Sequence, residues 1–218
     1  MNQKFTEEQI RELENQLSCP NGEMGIELGK NMNQSNFGMT LNTIEFLDLE
    51  NENSILELGH GNCGHLDKLL SMAEEIKYFG LEISEAMLNE AKKYNSDKQA
   101  EFKLYDGEII PYSNKSFDKI LSVNTVYFWE NPERLINEIE RTLKPSGICV
   151  LTYANKNFMK NLPFVGQKFK LFDQNEIKKL TEKSNLTIIE SKELTEHVKS
   201  KTGEQVERYY TMTKLKRL

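Results

Sequence analysis

From residue 54 onward, short apolar runs alternate with stretches whose apolar residues recur every three or four positions. The runs predict strands over 54–58, 77–82, 101–105, 117–123 and 147–153, and the helical periodicity predicts helices over 64–72, 84–94 and 132–143. In the last of these, Asn131 stands at the N-cap, Pro132 at the first helical position, and Leu135, Ile136, Ile139 and Leu143 form one apolar face. Strand–helix alternation of this kind predicts βαβ units and a parallel sheet covered on both faces. Before residue 54 there is no strand signal. A polar helix over 6–17 with Thr6 as N-cap is expected there, followed by two helical pieces at 25–32 and 41–47. At the other end, Asp173 and Glu176 have capping-box spacing for a helix to about Lys183, and strands at 186–193 and 207–214, joined through Gly203, are expected to pair antiparallel.

The chemistry-bearing residues gather at the carboxyl ends of the predicted strands, where open parallel sheets bind their ligands. Gly59, Gly61 and Gly64 form a G-x-G-x-x-G loop directly after the first strand, and Glu82 closes the second. This combination predicts a nucleotide-type cofactor. Gly59 lets the chain turn sharply, Gly61 lets backbone approach a ligand, and Gly64 lets the next helix pack close. Glu57 precedes the loop, Asp106, Gly107 and Glu108 follow the third strand, and Asn124, Tyr127 and Trp129 follow the fourth. Carboxylates and amides at four successive strand ends suit ribose hydroxyls, an exocyclic amine and the cationic end of an amino acid.

Length and charge narrow the reading further. A chain of 218 residues fits one α/β domain, and a net charge of −6 makes nucleic acid a poor default partner. Cys19, Cys63 and Cys149 lie far apart, and the amino terminus has no signal-peptide pattern, so a reduced, cytoplasmic setting is expected. The longest apolar stretch, 148–153, is too short to span a bilayer. His60, Cys63 and His65 lie close together without a second ligand cluster, so no metal is predicted.

Four segments, ILELGHGNCG, GLEISEAMLNEAKKY, YDGEIIPYSNKSFDKILSVNTVYF and LKPSGICVLTY, resemble in order those of the class I S-adenosylmethionine-dependent methyltransferases, in particular the small-molecule, ubiquinone- and menaquinone-methyltransferase-like branch. The resemblance covers about 54–153 and implies an α/β fold with a doubly wound, mostly parallel seven-stranded sheet, its last strand antiparallel, helices on both faces, and here an N-terminal helical extension over 1–50. It implies that Gly59, Gly61, Gly64 and Glu57 surround the methionine portion of the cofactor, that Glu82 holds the ribose, and that Ile83 and Met87 flank the adenine. Asp106 would accept from its amine, Gly107 and Glu108 would approach the ring, and Asn124 would face the methionine end. The chain lacks the Tyr-Asp-x-Met-Asn-Asp stretch of the quinone enzymes, which leaves the acceptor open.

Methyl transfer requires an acceptor lone pair in line with the sulfur–methyl bond and no covalent enzyme intermediate. His60 and Tyr127 are the candidate bases by location. Acceptor contacts are expected from Tyr127, Trp129, Phe164 and the segment 155–172, which carries four lysines, four phenylalanines and no acid and is suited to an aromatic or anionic acceptor or to peripheral lipid contact. Residues 22–36 are a candidate lid through Met32, Asn33 and Asn36. The whole chain, 1–218, reads as one domain of unassigned oligomeric state, acting on a small molecule. The alternatives are a nicotinamide-dependent oxidoreductase, for which Tyr94 and Lys98 have Y-x-x-x-K spacing, and a non-catalytic cofactor-binding protein.

Overall fold

The computed structural model describes residues 6–199 and 205–218; the predicted link through Gly203 lies outside them. Its centre is a seven-stranded sheet in the order β3-β2-β1-β4-β5-β7-β6. The strands are β1 (Ser54–Leu58), β2 (Lys77–Glu82), β3 (Ala100–Leu104), β4 (Phe117–Val123), β5 (Leu143–Ala154), β6 (Leu186–Lys199) and β7 (Gln205–Arg217). The first five pair in parallel, and β7 runs antiparallel to both neighbours. The winding reverses between β1 and β4, which opens a crevice at their carboxyl ends.

Strand periodicity divides the core. Leu56, Ile120 and Leu151 face α5 (Pro132–Thr142) and, after the short α6 (Lys156–Met159), α7 (Gln174–Thr181), packing with Leu135, Ile136, Ile139 and Ile177. Ile55, Leu121 and Val150, one residue out of phase, face α2 (Gly22–Phe46), α3 (Leu66–Leu70) and α4 (Glu85–Tyr94) with Met39, Leu66, Leu69, Leu88 and Ala91. The expected caps form: Thr6 and Gln9 exchange the bonds of a capping box at α1 (Glu7–Ser18), as do Asp173 and Glu176 at α7, and Asn131 accepts from the Arg134 amide at α5. Among the described residues no helix is long and apolar enough to cross a membrane.

Several boundaries differ from the sequence expectation. The pieces predicted at 25–32 and 41–47 are one 25-residue helix, α2. Its polar middle is helical because distant groups meet it: Asn36 Oδ1 accepts from Arg208 Nη1 at 2.8 Å, and a Cβ on Gly29 would lie 2.4 Å from Met87 Sδ. Tertiary contacts here override weak local propensity. β5 starts at Leu143 rather than 147, because the Lys-Pro-Ser-Gly stretch is absorbed into the strand with Ser146 at φ 62° and a register shift against β4. α3 is shorter than 64–72, and the β6–β7 hairpin is longer than predicted, extending past the end of β5 at the Ala154–Tyr210 pair.

Candidate active site

A cavity of about 630 Å³ opens over the carboxyl ends of β1, β2 and β4. Its walls contain every residue predicted for the site except Gly64. The candidate lid residues Met32, Asn33 and Asn36 also line it.

The glycine loop owes its path to two left-handed residues. Gly59 has φ 75° and Gly61 φ 58°, a region that side chains disfavour. A Cβ at Gly59 would lie 2.4 Å from Thr125 Cγ2, whereas one at Gly61 would meet nothing among the described residues within 4 Å. Gly61 therefore offers bare backbone. Gly64 corrects the expectation made for it: the helix it admits is the preceding α2, since a Cβ would lie 3.0 Å from Asn33 Oδ1.

Glu82 is buried and engaged. Its Oε2 accepts from the Gly61 amide at 2.9 Å, and its Oε1 accepts from the Ile83 and Ser84 amides at 2.9 and 3.0 Å. Three of about four acceptor positions on a carboxylate are thus taken, leaving room on Oε2 for one ribose hydroxyl rather than the two that a free side chain would accept. The same carboxylate that faces the cavity also ties the glycine loop to β2. Asp106 Oδ1 closes the turn after β3 by accepting from the amides of Glu108 and Ile109, both at 2.8 Å, and these bonds hold its carboxyl below the ordinary value. Glu108 is ion-paired with Arg134. Met87 is buried between α4 and Gly29 of α2, while Ile83 is exposed at the mouth.

Glu57 is 2% exposed, and its Oε2 accepts from His65 Nε2 at 2.8 Å and from the Tyr78 hydroxyl at 2.6 Å. Burial pushes its carboxyl up, and the His65 ring with these two bonds more than reverses that, so it lies below the ordinary value. Glu57, Cys63 and His65 bring their heteroatoms within 4.8 Å of one another. The 2.8 Å contact is a hydrogen bond, shorter than the ~3.3 Å between two ligands on a tetrahedral zinc with ~2.0 Å bonds.

Both candidate bases are turned to other work. The Tyr127 hydroxyl donates to Asn124 Oδ1 at 2.9 Å and accepts from the Ala154 amide, and burial pushes its pKa far up. It stays protonated and latches the loop after β4 to the end of β5. Asn124, at φ 57°, is held by this bond and by its amide to the Thr152 carbonyl at 2.8 Å. His60 Nδ1 donates to the Gly61 carbonyl at 2.7 Å, while Nε2 is buried without a partner among the described residues and would lie 3.1 Å from a Cβ on Gly80. The ring packs edge-on to Phe102 at 5.0 Å, so this face of His60 addresses the sheet.

Burial pushes the His60 ring below its ordinary value despite the opposing pull of Glu82 and Glu57. The unfolded chain takes up a proton near pH ~6.5 that the folded ring resists, so the unfolded state binds more protons below that pH. Stability is then complete above about pH 6.5 and declines as the pH falls through it. Thermal melts between about pH 7.5 and 5.5 are expected to show this decline, and His60→Leu to reduce it; equal slopes in both proteins would contradict the assignment.

The roof contains groups that sequence reading missed. Glu14 of α1, a buried acid in an otherwise polar helix, accepts from the amides of Gly166 and Lys168, both at 3.0 Å. The Ser84 hydroxyl donates to the Pro20 carbonyl, which pins the α1–α2 link over the end of β2. Leu17, Pro20, Val198 and Val206 complete walls that local sequence gave no reason to expect. The same cavity is lined by Phe128, Phe158, Met159, Leu162, Phe164 and Phe169, and the Phe169 ring meets those of Phe128 and Phe164 at 4.7 and 6.4 Å. Trp129 donates its ring N–H to Thr125 Oγ1 at 3.1 Å.

Comparison with known proteins bears on this arrangement. Residues 56–151 match the family described as "Methyltransferase domain". The uncharacterized methyltransferase YdaC of Bacillus subtilis is 32% identical over 115 residues, covering 52% of this chain and 64% of that protein. A fatty-acid O-methyltransferase of Mycolicibacterium smegmatis is 25% identical over 137 residues, covering 62% of this chain and 50% of that one. The matched stretches thus span less than two thirds of either relative. A chain of the complex between the Haloferax volcanii Trm112 methyltransferase activator and a methyltransferase aligns with a TM-score of 0.72 at 16% identity, covering 86% of this chain and 93% of that one, a likeness of fold. In its glycine loop, acidic strand ends, sheet order and the match over residues 56–151, this chain is similar to the class I S-adenosylmethionine-dependent methyltransferases.

Proposed function

We propose that this protein transfers a methyl group from S-adenosylmethionine to an apolar small-molecule acceptor by direct in-line displacement. The observation that carries the reading is one continuous cavity with two unlike halves. One half is bounded by Glu57, Glu82 and Asp106 at three successive strand ends, the other by Phe128, Phe158, Phe164 and Phe169. The acidic half fits a ligand with ribose hydroxyls and an ammonium group: Gly61 is bare toward it, and Glu57 Oε1 has no hydrogen-bond partner among the described residues. When bound, the cofactor supplies an electrophilic methyl group on a sulfonium. The chain contributes position and dryness. The aromatic half binds and orients the acceptor, and the roof tied by Glu14 excludes water; such positioning is worth up to ~7–11 kcal/mol. The fatty-acid relative supports an apolar acceptor, and the amino-terminal helices with 155–172 act as its cover.

An oxidoreductase is disfavoured by the position of Tyr94 and Lys98. Tyr94 is 48% exposed, and Lys98 pairs with Asp67 and Asp97 at the end of α4, outside the cavity wall. Calorimetric titration with S-adenosylmethionine, S-adenosylhomocysteine and NADH tests the reading. Binding of the two sulfur ligands alone, followed by methyl transfer to members of a panel of fatty acids and aromatic acids and alcohols, is expected. NADH binding alone would overturn the proposal. Cofactor binding with no transfer across the panel would favour the non-catalytic alternative.

A further inference from the structure

A closed relay of side chains lies beneath the acidic half of the cavity. Cys63 Sγ is 3.2 Å from the Tyr78 hydroxyl, and because that hydroxyl gives its proton to Glu57, the thiol is the donor to Tyr78. His65 Nε2 donates to the same carboxylate oxygen, Oε2. The Asn95 amide fastens the Cys63 carbonyl at 3.2 Å and so joins the relay to α4. All four of the residues Glu57, Cys63, His65 and Tyr78 are buried, while only Glu57 and His65 reach the cavity wall.

Two donors on one oxygen fix the rotation of a carboxylate that would otherwise be free to turn. Oε1 is left without a partner among the described residues. A buried carboxylate with one oxygen satisfied twice and the other not at all is a receptor for a further donor, and a cationic donor recovers most from it.

We infer that Tyr78 and His65 are positioning residues for recognition of the cofactor's amino-acid end: they clamp Glu57 Oε2 so that Oε1 is presented to the ligand's ammonium group. This rests on the reading of the cavity as an S-adenosylmethionine site. Neither residue touches the adenosine-binding groups Glu82 and Asp106 through any described hydrogen bond, so their effect is confined to one end of the ligand.

The test compares two probes, S-adenosylhomocysteine, which carries the amino acid, and 5′-methylthioadenosine, which lacks it. Tyr78→Phe keeps the buried ring and removes only the hydroxyl. It is expected to weaken S-adenosylhomocysteine about tenfold, as loss of a hydrogen bond to a charged group does, and to leave 5′-methylthioadenosine within about twofold of the unaltered protein. His65→Leu should behave in the same way, and His65→Gln, whose amide reaches the Nε2 position, should recover most of the loss. Equal weakening of both probes would show a merely structural role and overturn the inference, as would unchanged binding of both in Tyr78→Phe and His65→Leu. If the unaltered protein binds neither probe, the cofactor reading itself falls. If Tyr78→Phe does not fold, the His65 pair carries the same test, with Gln and Leu equal to each other counting against it.

Discussion

Replacing Glu82 with alanine is expected to weaken S-adenosylhomocysteine binding about a hundredfold and to lower the melting temperature at the same time. One carboxylate does two jobs here, holding the Gly61, Ile83 and Ser84 amides and turning its remaining acceptor position toward the cavity. Loss of a charge-assisted bond to a ribose hydroxyl is worth ~1.5–3 kcal/mol, which is roughly one to two powers of ten in affinity. Release of the glycine loop adds to that, since Gly61 loses the bond that sets its position. The three abandoned amides cost ~1 kcal/mol each where water cannot reach them, so a destabilisation of ~2–3 kcal/mol and a fall of ~5–10 °C are expected. Glu82→Gln, which keeps one acceptor oxygen, should recover part of both losses. Calorimetry and thermal melting on the two variants separate the roles. A lowered melting temperature with unaltered affinity would take Glu82 out of the ligand site and leave it a purely structural residue.

The second large effect is a contrast between two glycines of one loop. Gly59→Ala combines a disfavoured left-handed backbone, ~1–2 kcal/mol, with overlap on Thr125 Cγ2 at 2.4 Å, ~1–3 kcal/mol. A total of ~2–5 kcal/mol is a large share of the stability of a domain this size. Gly61→Ala carries the same backbone cost, but its methyl group meets no atom of the described residues within 4 Å. It should therefore fold with a loss of only ~1–2 kcal/mol and lose affinity for the cofactor instead, because the methyl group takes up space beside the ligand. The pair is read by chemical denaturation and by S-adenosylhomocysteine titration. If Gly61→Ala bound the cofactor normally, the loop's close approach to the ligand would be refuted.

These contrasts show which features were legible before folding and which were not. The periodicity at Leu135, Ile136 and Ile139 predicted a helix and its buried face, and both Asn131 and the Asp173–Glu176 pair predicted helix starts, because these signals lie within a turn or two of chain. The spacing of Gly59, Gly61 and Glu82 predicted that loop and acid would share one cavity, because a parallel βαβ unit brings the ends of adjacent strands together. The partners of His60 and Tyr127 were not legible for the opposite reason. Their positions along the chain put them at the cavity, but the direction of each polar atom depends on Gly80 and Ala154, which lie 20 and 27 residues away.

The same distinction separates what this sequence determined by itself from what the tertiary structure decided. Local patterning determined the order of strands and helices, their caps, the turn after β1 and the acidic strand ends, since each depends on residues a few positions apart. Folding decided the continuity of α2, whose polar middle is helical only where Arg208 and Met87 meet it. It also decided that Glu14 would bond amides more than 150 residues away, and that Tyr78 and His65 would converge on one oxygen of Glu57. Such contacts form only once the core has closed, because a buried polar group is stable only with its partner in place, and nothing local in the chain specifies which partner the fold will bring.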